Sequence, residues 1–159
     1  MIAKEFTMTS GVGVSDKKLP SFDKALLDAG VGNYNLVRLS SILPAGCVEV
    51  QVDDIKSHIK EGSLLPTAYS TISSSKAGTR IVSTIGIGFP ADKNHVGVIM
   101  EFSAVNMGKL EAYDVLGQMI QEAFDARGWE LEGVEVIGAE ALVEVDGIEH
   151  TTFACVCEW

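Results

Sequence analysis

The run His95-Val96-Gly97-Val98-Ile99-Met100-Glu101-Phe102 is apolar at almost every position. A strand with one face in water alternates apolar with polar, so a run this uniform predicts a strand covered on both faces. Two more strand-like stretches precede it, 65–75 and 80–89, separated by a Lys76-Ala77-Gly78 turn, and Asp92-Lys93 marks the loop that follows. A covered sheet needs elements to cover it, and two helical patterns supply them. Leu19-Pro20-Ser21-Phe22-Asp23 opens the first, with Ser21 as N-cap, Asp23 in the first turn, a stripe of Phe22, Ala25, Leu26 and Ala29, and Gly30 as the stop. Residues 109–127 form the second, with Tyr113, Leu116, Ile120, Ala123 and Phe124 on one face and Gly128 beyond its end. The order strand, helix, strands, helix, strands predicts an α+β fold, helices packed over mainly antiparallel or mixed sheets.

The remaining segments fill in that frame. Lys4 to Val14 reads as an edge strand entering a Gly-rich loop, and 34–39 as a strand behind the Gly30-Val31-Gly32-Asn33 turn. Pro44 keeps Leu43 out of helix and interrupts any central strand there. Residues 53–61 read as a short helix ended by Gly62. Two last strands, 134–145 and 148–158, flank Asp146-Gly147, a type I′ hairpin signal. With 159 residues and no repeat or linker, residues 1–159 are expected to form one domain.

Charge and cysteines exclude several functions. The net charge is −10, from 12 basic and 22 acidic side chains, which argues against a nucleic-acid partner. Residues 109–159 hold two of the basic and twelve of the acidic groups, so the acidity lies in the last third. That is either a solvated face or a field that attracts a cationic substrate. No apolar run reaches the roughly 18 to 20 residues of a membrane span, and the N-terminus lacks a signal-peptide pattern, so no membrane partner and a cytoplasmic location are expected. Cys155 and Cys157 share one face of a strand, and with Cys47 they read as structural thiols. His58, His95 and His150 form no ligand spacing, so no metal is expected. Gly11-Val12-Gly13 and Gly86-Ile87-Gly88 lack the spacing of a dinucleotide or phosphate loop, and Ser83, Asp92 and His95 come without a nucleophile elbow.

What stands out is a few polar groups in apolar surroundings. Ser40 and Ser41 sit between a strand-like stretch and Ile42-Leu43-Pro44; hydroxyls at such a place bond their own backbone or do chemistry. Glu101 shares a face with Gly97 and Ile99. Either the strand has reached solvent there, or burial raises the acid until it can donate a proton. Asp23 reads as a helix-dipole acid and Asn35 as a turn amide.

A resemblance changes those weights. Phe22-Asp23-Lys24-Ala25-Leu26-Leu27-Asp28-Ala29-Gly30, then 32–44 with its Ser40-Ser41 pair, 62–69, Pro90-Ala91-Asp92-Lys93, Ile99-Met100-Glu101 and Arg127-Gly128-Trp129-Glu130 follow one another as in the pyruvoyl-dependent arginine decarboxylases. The chain resembles that family along nearly its whole length. The resemblance implies a lyase that converts L-arginine to agmatine and carbon dioxide, a route into polyamines. It also implies a precursor that cleaves itself between Ser40 and Ser41. The Ser41 hydroxyl attacks the Ser40 carbonyl to give an ester, elimination leaves dehydroalanine, and hydrolysis with loss of ammonia leaves a pyruvoyl group. A β chain of 1–40 and an α chain of 41–159 would result, with a covalent pyruvoyl cofactor derived from Ser41 and neither pyridoxal phosphate nor metal. The substrate amine would form a Schiff base with that group, which serves as electron sink.

Residue by residue, the resemblance makes Glu101 the proton donor to the substrate carbon and Asn35 a group that holds geometry or an oxyanion during cleavage. It makes Asp23 the carboxylate that binds the guanidinium. The family pattern further implies a four-layer αββα sandwich assembled as a homotrimer with active sites between subunits. Two other readings stand beside it: a pyruvoyl-dependent decarboxylase of another amino acid, and a non-catalytic trimeric scaffold. The joint presence of Ser41, Glu101 and Asn35 favours the enzyme.

Overall fold

The computed structural model describes residues 2–159. Its elements run β1 (Glu5–Ser15), α1 (Lys18–Asp28), β2 (Asn35–Arg38), β3 (Ile42–Leu43), β4 (Val48–Glu49), a 3-10 turn (Val52–Asp54), α2 (Ile55–His58), β5 (Leu64–Ser74), β6 (Arg80–Pro90), β7 (Gly97–Val105), α3 (Lys109–Asp125), β8 (Leu131–Leu142) and β9 (Glu149–Glu158). They build two sheets. The first is mixed, in the order β2-β5-β9-β1-β4, and the second is antiparallel, in the order β3-β7-β6-β8.

Strand parity explains how the layers stack. In β9, Phe153, Cys155 and Cys157 point one way and pack with Ala25, Ala29 and Val31 at α1. Ala154 and Val156 point the other way and meet Phe6, Ala68, Ile85, Ile87 and Ile99 between the sheets. On the far side of the second sheet, Val98 packs with Leu116, Ile120 and Phe124 of α3. The result is the expected α+β sandwich: helix, sheet, sheet, helix. Buried hydroxyls between the sheets are paired, as when the Ser83 hydroxyl donates to the Thr152 carbonyl at 3.1 Å and Ser70 to that of Thr84 at 2.9 Å.

Glycine lets the helices lie close to the strands. A Cβ on Gly13 would sit 1.8 Å from the Ser21 carbonyl oxygen, and one on Gly88 would sit 2.5 Å from the Ile120 side chain. The Gly11-Val12-Gly13 stretch is therefore not a loop; it is strand, and α1 rests directly on it. β1 is an edge along most of its length, since β4 covers only Glu5 and Phe6.

Several expectations need correction. α1 begins at Lys18 with Lys17 in the N-cap position, so Ser21 lies inside the helix and Asp23 falls beyond its first turn. Pro20 accounts for this, because a proline ring fits the first turn, where the backbone N–H has no partner anyway. The Ser21 hydroxyl donates to the Lys18 carbonyl at 2.9 Å and lies 2.6 Å from that of Thr151. The helix expected over 53–61 is one short turn of 3-10 and one of α, ending at His58. β8 and β9 do not form a hairpin: they lie in different sheets. Gly147 does take the positive φ of a tight turn, +83°, but the turn carries the chain across the sandwich. It is anchored by the Ala77 N–H donating to the Asp146 carboxylate at 2.7 Å and the Gly147 N–H donating to the Ser75 carbonyl at 2.9 Å. β7 is covered on both faces only over Gly97–Ile99 and is more open from Met100 onward. Among the described residues no helix is long and apolar enough to cross a membrane.

Candidate active site

The chain crosses from the first sheet to the second at the serine pair. β2 runs parallel to β5, and its last ladder contact continues as the Leu39 N–H donating to the Thr67 carbonyl at 3.0 Å. Ser40 is exposed and Ser41 half-buried, and β3 then pairs antiparallel with β7, Ile42 opposite Val98. The Ile99 N–H donates to the Ser41 carbonyl at 2.9 Å. Two residues along β7, on the same face as Ile99, stands Glu101. So the β3–β7 pairing brings the serine pair beside the strand that carries the acid. The Ser40–Ser41 bond lies in the gap between the end of β2 at Arg38 and the start of β3 at Ile42.

Glu101 is not the desolvated acid of a buried strand. Its side chain is half-exposed, and its Oε1 accepts an ion-paired hydrogen bond from Arg38 Nη2. Arg38 is held in turn by Tyr69: Nη2 also donates to the Tyr69 carbonyl at 3.2 Å, and the guanidinium lies 4.5 Å from the ring centroid. The hydrogen bond to Glu101 raises the Arg38 pKa, with the charges of Glu101 and Tyr69 adding to it against the opposing effect of burial. Arg38 and Tyr69 are site residues that the sequence pattern did not single out. Their only signal is parity, which places Arg38 at the end of a short strand two residues before the serine pair.

Asn35 and Asp23 stand apart from this cluster. Asn35 is exposed at the start of β2, where its Nδ2 donates to the Gly62 carbonyl at 2.8 Å and its backbone N–H to that of Ser63 at 2.9 Å. At about 3.3 Å of rise per residue, it lies about 10 Å from Arg38 along the strand. Asp23 is exposed on α1, on the outer side of the first sheet; its neighbour Phe22 packs edge-on against Phe153 with ring centroids 6.1 Å apart. Within one chain, the structure gathers Ser41, Glu101, Arg38 and Tyr69 and leaves Asn35 and Asp23 on other surfaces.

The thiols are structural in their surroundings. Cys155 and Cys157 are buried with sulfurs 3.6 Å apart, and burial drives the Cys155 pKa well up. Among the described residues no group of three His, Cys, Asp or Glu is placed to hold a metal ion. A prosthetic group formed from Ser41 fits what is there: a β-oxygen at a strand break, a carbonyl pinned by Ile99, and an acid two residues along the neighbouring strand.

Sequence comparison agrees with this geometry. The family model described as pyruvoyl-dependent arginine decarboxylase matches residues 5–157. A pyruvoyl-dependent arginine decarboxylase of Methanococcus aeolicus is 37% identical over 153 residues, covering 96% of this chain and 88% of the relative. One from Pyrococcus abyssi is 38% identical over 141 residues, covering 89% and 87%. The serine pair, the acid on the adjoining strand and the near-complete match lead to one conclusion: the chain belongs to the pyruvoyl-dependent arginine decarboxylase family.

Proposed function

We propose that this chain decarboxylates L-arginine to agmatine and carbon dioxide, using a pyruvoyl group made from its own Ser41. The observation that carries the reading is the β3–β7 pairing, which sets the Ser41 carbonyl on the Ile99 N–H and Glu101 two residues beyond. Family membership supports the substrate and the cofactor class.

Self-cleavage follows from the strand break. The Ser41 Oγ adds to the Ser40 carbonyl carbon and the peptide C–N bond breaks, leaving an ester to Ser41 and a free amine. Loss of the Cα proton expels the Ser40 carboxylate, and water then replaces the nitrogen, which leaves as ammonia. Residues 1–40 and 41–159 remain, one domain in two chains. The group so formed supplies a carbonyl electrophile for the substrate amine and a sink for the electron pair left when carbon dioxide departs. Glu101, oriented by Arg38, takes the proton that the substrate ammonium must shed and returns it to the substrate Cα. The Arg38–Tyr69 stack fixes where that carboxylate points.

Asp23 is exposed and in no salt bridge among the described residues, suited to a guanidinium through two parallel hydrogen bonds. Asp23, exposed on α1 away from Glu101, serves a neighbouring protomer's serine site in a homotrimer, and Asn35 holds geometry or an oxyanion near the pyruvoyl group during cleavage.

The test is intact mass. Purified protein should appear as two chains, the larger blocked by a keto group, and Ser41→Ala should remain one chain with no activity. A single unmodified wild-type chain with full activity would overturn the reading. Asp23→Asn should raise the KM for arginine by about ten- to a hundredfold while cleavage proceeds; steady-state kinetics read this directly.

A further inference from the structure

At one end of the sandwich, where the chain crosses between the sheets, lies a cleft of about 570 Å³. Its walls are apolar: Leu39, Ile42, Pro44, Pro66 and Val96 among them. The one ionisable side chain lining it is Glu158, the last residue of β9, which is only 5% exposed. Parity explains its position. Glu158 follows Ala154 and Val156 onto the face between the sheets, opposite Phe6 on β1.

That carboxyl lacks a partner. Among the described residues, Glu158 Oε1 is the one buried side-chain nitrogen or oxygen without a hydrogen bond, and no salt bridge reaches the residue. Buried polar atoms elsewhere in the sandwich are paired, and leaving one unpaired is costly. Among the described residues no cation pairs with Glu158. The Cys47 thiol feels the Glu158 charge without bonding to it: its pKa is pushed up first by burial and then by that charge. Glu49 lies beyond Phe6 and acts on Glu135 instead. Glu5 is occupied on the other face of β1, accepting from Trp159 Nε1 at 2.6 Å and lying 2.9 Å from His58 Nδ1.

We infer that this cleft is a second ligand site, which takes a small organic cation with one ammonium or guanidinium head and an apolar alkyl body. The volume lies within the range of about 300–1,000 Å³ usual for small-molecule sites. The apolar walls match an alkyl body, and the single acceptor at Glu158 matches a charged donor head. An anion is excluded by the carboxylate. The site is distinct from the proposed reaction centre: neither Glu101 nor Asp23 lines it, although Leu39 and Ile42 place it directly behind the serine pair. The inference does not depend on the decarboxylase reading. Burial raises the Glu158 pKa to about 7, so its charge, and with it cation binding, grows as the pH rises above neutrality.

The probes are hexylamine and its neutral counterpart hexanol, titrated into the full-length protein at about pH 8 by calorimetry, with methyl NMR of the cleft residues. Hexylamine should bind and shift the Leu39, Ile42 and Val96 methyls, and should bind about tenfold or more weakly to Glu158→Gln and Glu158→Leu. Glu158→Leu keeps the test decisive should Glu158→Gln fold poorly, because it removes the orphaned group altogether. Asp23→Asn should leave the affinity unchanged. Equal binding of hexanol, unchanged affinity in both Glu158 variants, shifts confined to other residues, or no binding at all would each overturn the site. Chain cleavage read by mass on the same samples reports separately on the proposed reaction.

Discussion

Glu101 and Glu158 both sit on strands that the sequence marks as apolar, yet the fold treats them in opposite ways. Glu101 emerges where β7 has outrun its cover, keeps about a third of its side chain in water and meets Arg38. Glu158 stays under cover to the last residue of β9, and among the described residues its Oε1 meets no hydrogen-bond partner. The difference lies in the neighbouring strands: β2 delivers a cation to the first acid, whereas β1 and β5 offer Phe6 and Pro66 to the second. An acid in an apolar run is therefore no single kind of signal. Its chemistry is set by what the adjoining strand carries at the same level.

The contrast is sharpest in catalysis. Glu101→Gln should still cleave into two chains but lose about 10²- to 10⁴-fold in turnover; near-normal turnover would remove Glu101 from the reaction and leave it a surface ion pair. Next in size is the burial cost at the other acid. The folded pKa of Glu158 lies near 7 against an ordinary 4.5, so the folded state keeps a proton that the unfolded chain gives up. Its contribution therefore worsens as pH rises from about 4.5 to 7 and then levels off. Glu158→Leu should be more stable than wild type, by a margin that widens by about 2–3 kcal/mol between pH 5 and pH 8 in urea unfolding. A margin independent of pH would mean that Glu158 has a partner after all. Smallest is the other half of the exposed pair. Arg38→Met should cost about 1 kcal/mol or less in the same assay, because solvent screens a half-exposed ion pair. A cost as large as the Glu158 effect would erase the distinction between the two acids.

Much of the fold was legible in the sequence, and the misses in long-range pairing share one cause. The strand within 95–102 and the helix at 109–127 depend on local pattern, and local pattern located them, whereas the serine pair drew its weight from the family resemblance. Asp146-Gly147 has the chemistry of a tight turn and makes one, but no local signal says whether the strands on either side share a sheet. That is decided by burial, since β8 must close the second sheet against β6 while β9 fills the centre of the first. Glu158 was readable in principle. In Phe153-Ala154-Cys155-Val156-Cys157-Glu158, alternation assigns it to the face of Ala154 and Val156, though only the structure shows that face to be the inside. Arg38 was hidden because its partner lies 63 residues away on the other sheet.

The long pairing of β1 with β9 has a consequence for a chain cut at Ser40. Every residue from Phe6 to Ser15 is matched to one from Glu158 back to Glu149, and α1 is seated on the same strand through Gly11 and Gly13. The leading fragment thus holds an outer strand, the helix that caps it and the short strand that brings Arg38 to Glu101. Breaking one covalent bond would not free it: release would mean unzipping ten rungs and stripping the cover from Phe153, Cys155 and Cys157 in a single cooperative event. The two pieces would behave as complementary fragments, able to find each other again from dilute solution and to rebuild the guanidinium–carboxylate contact only when both are present.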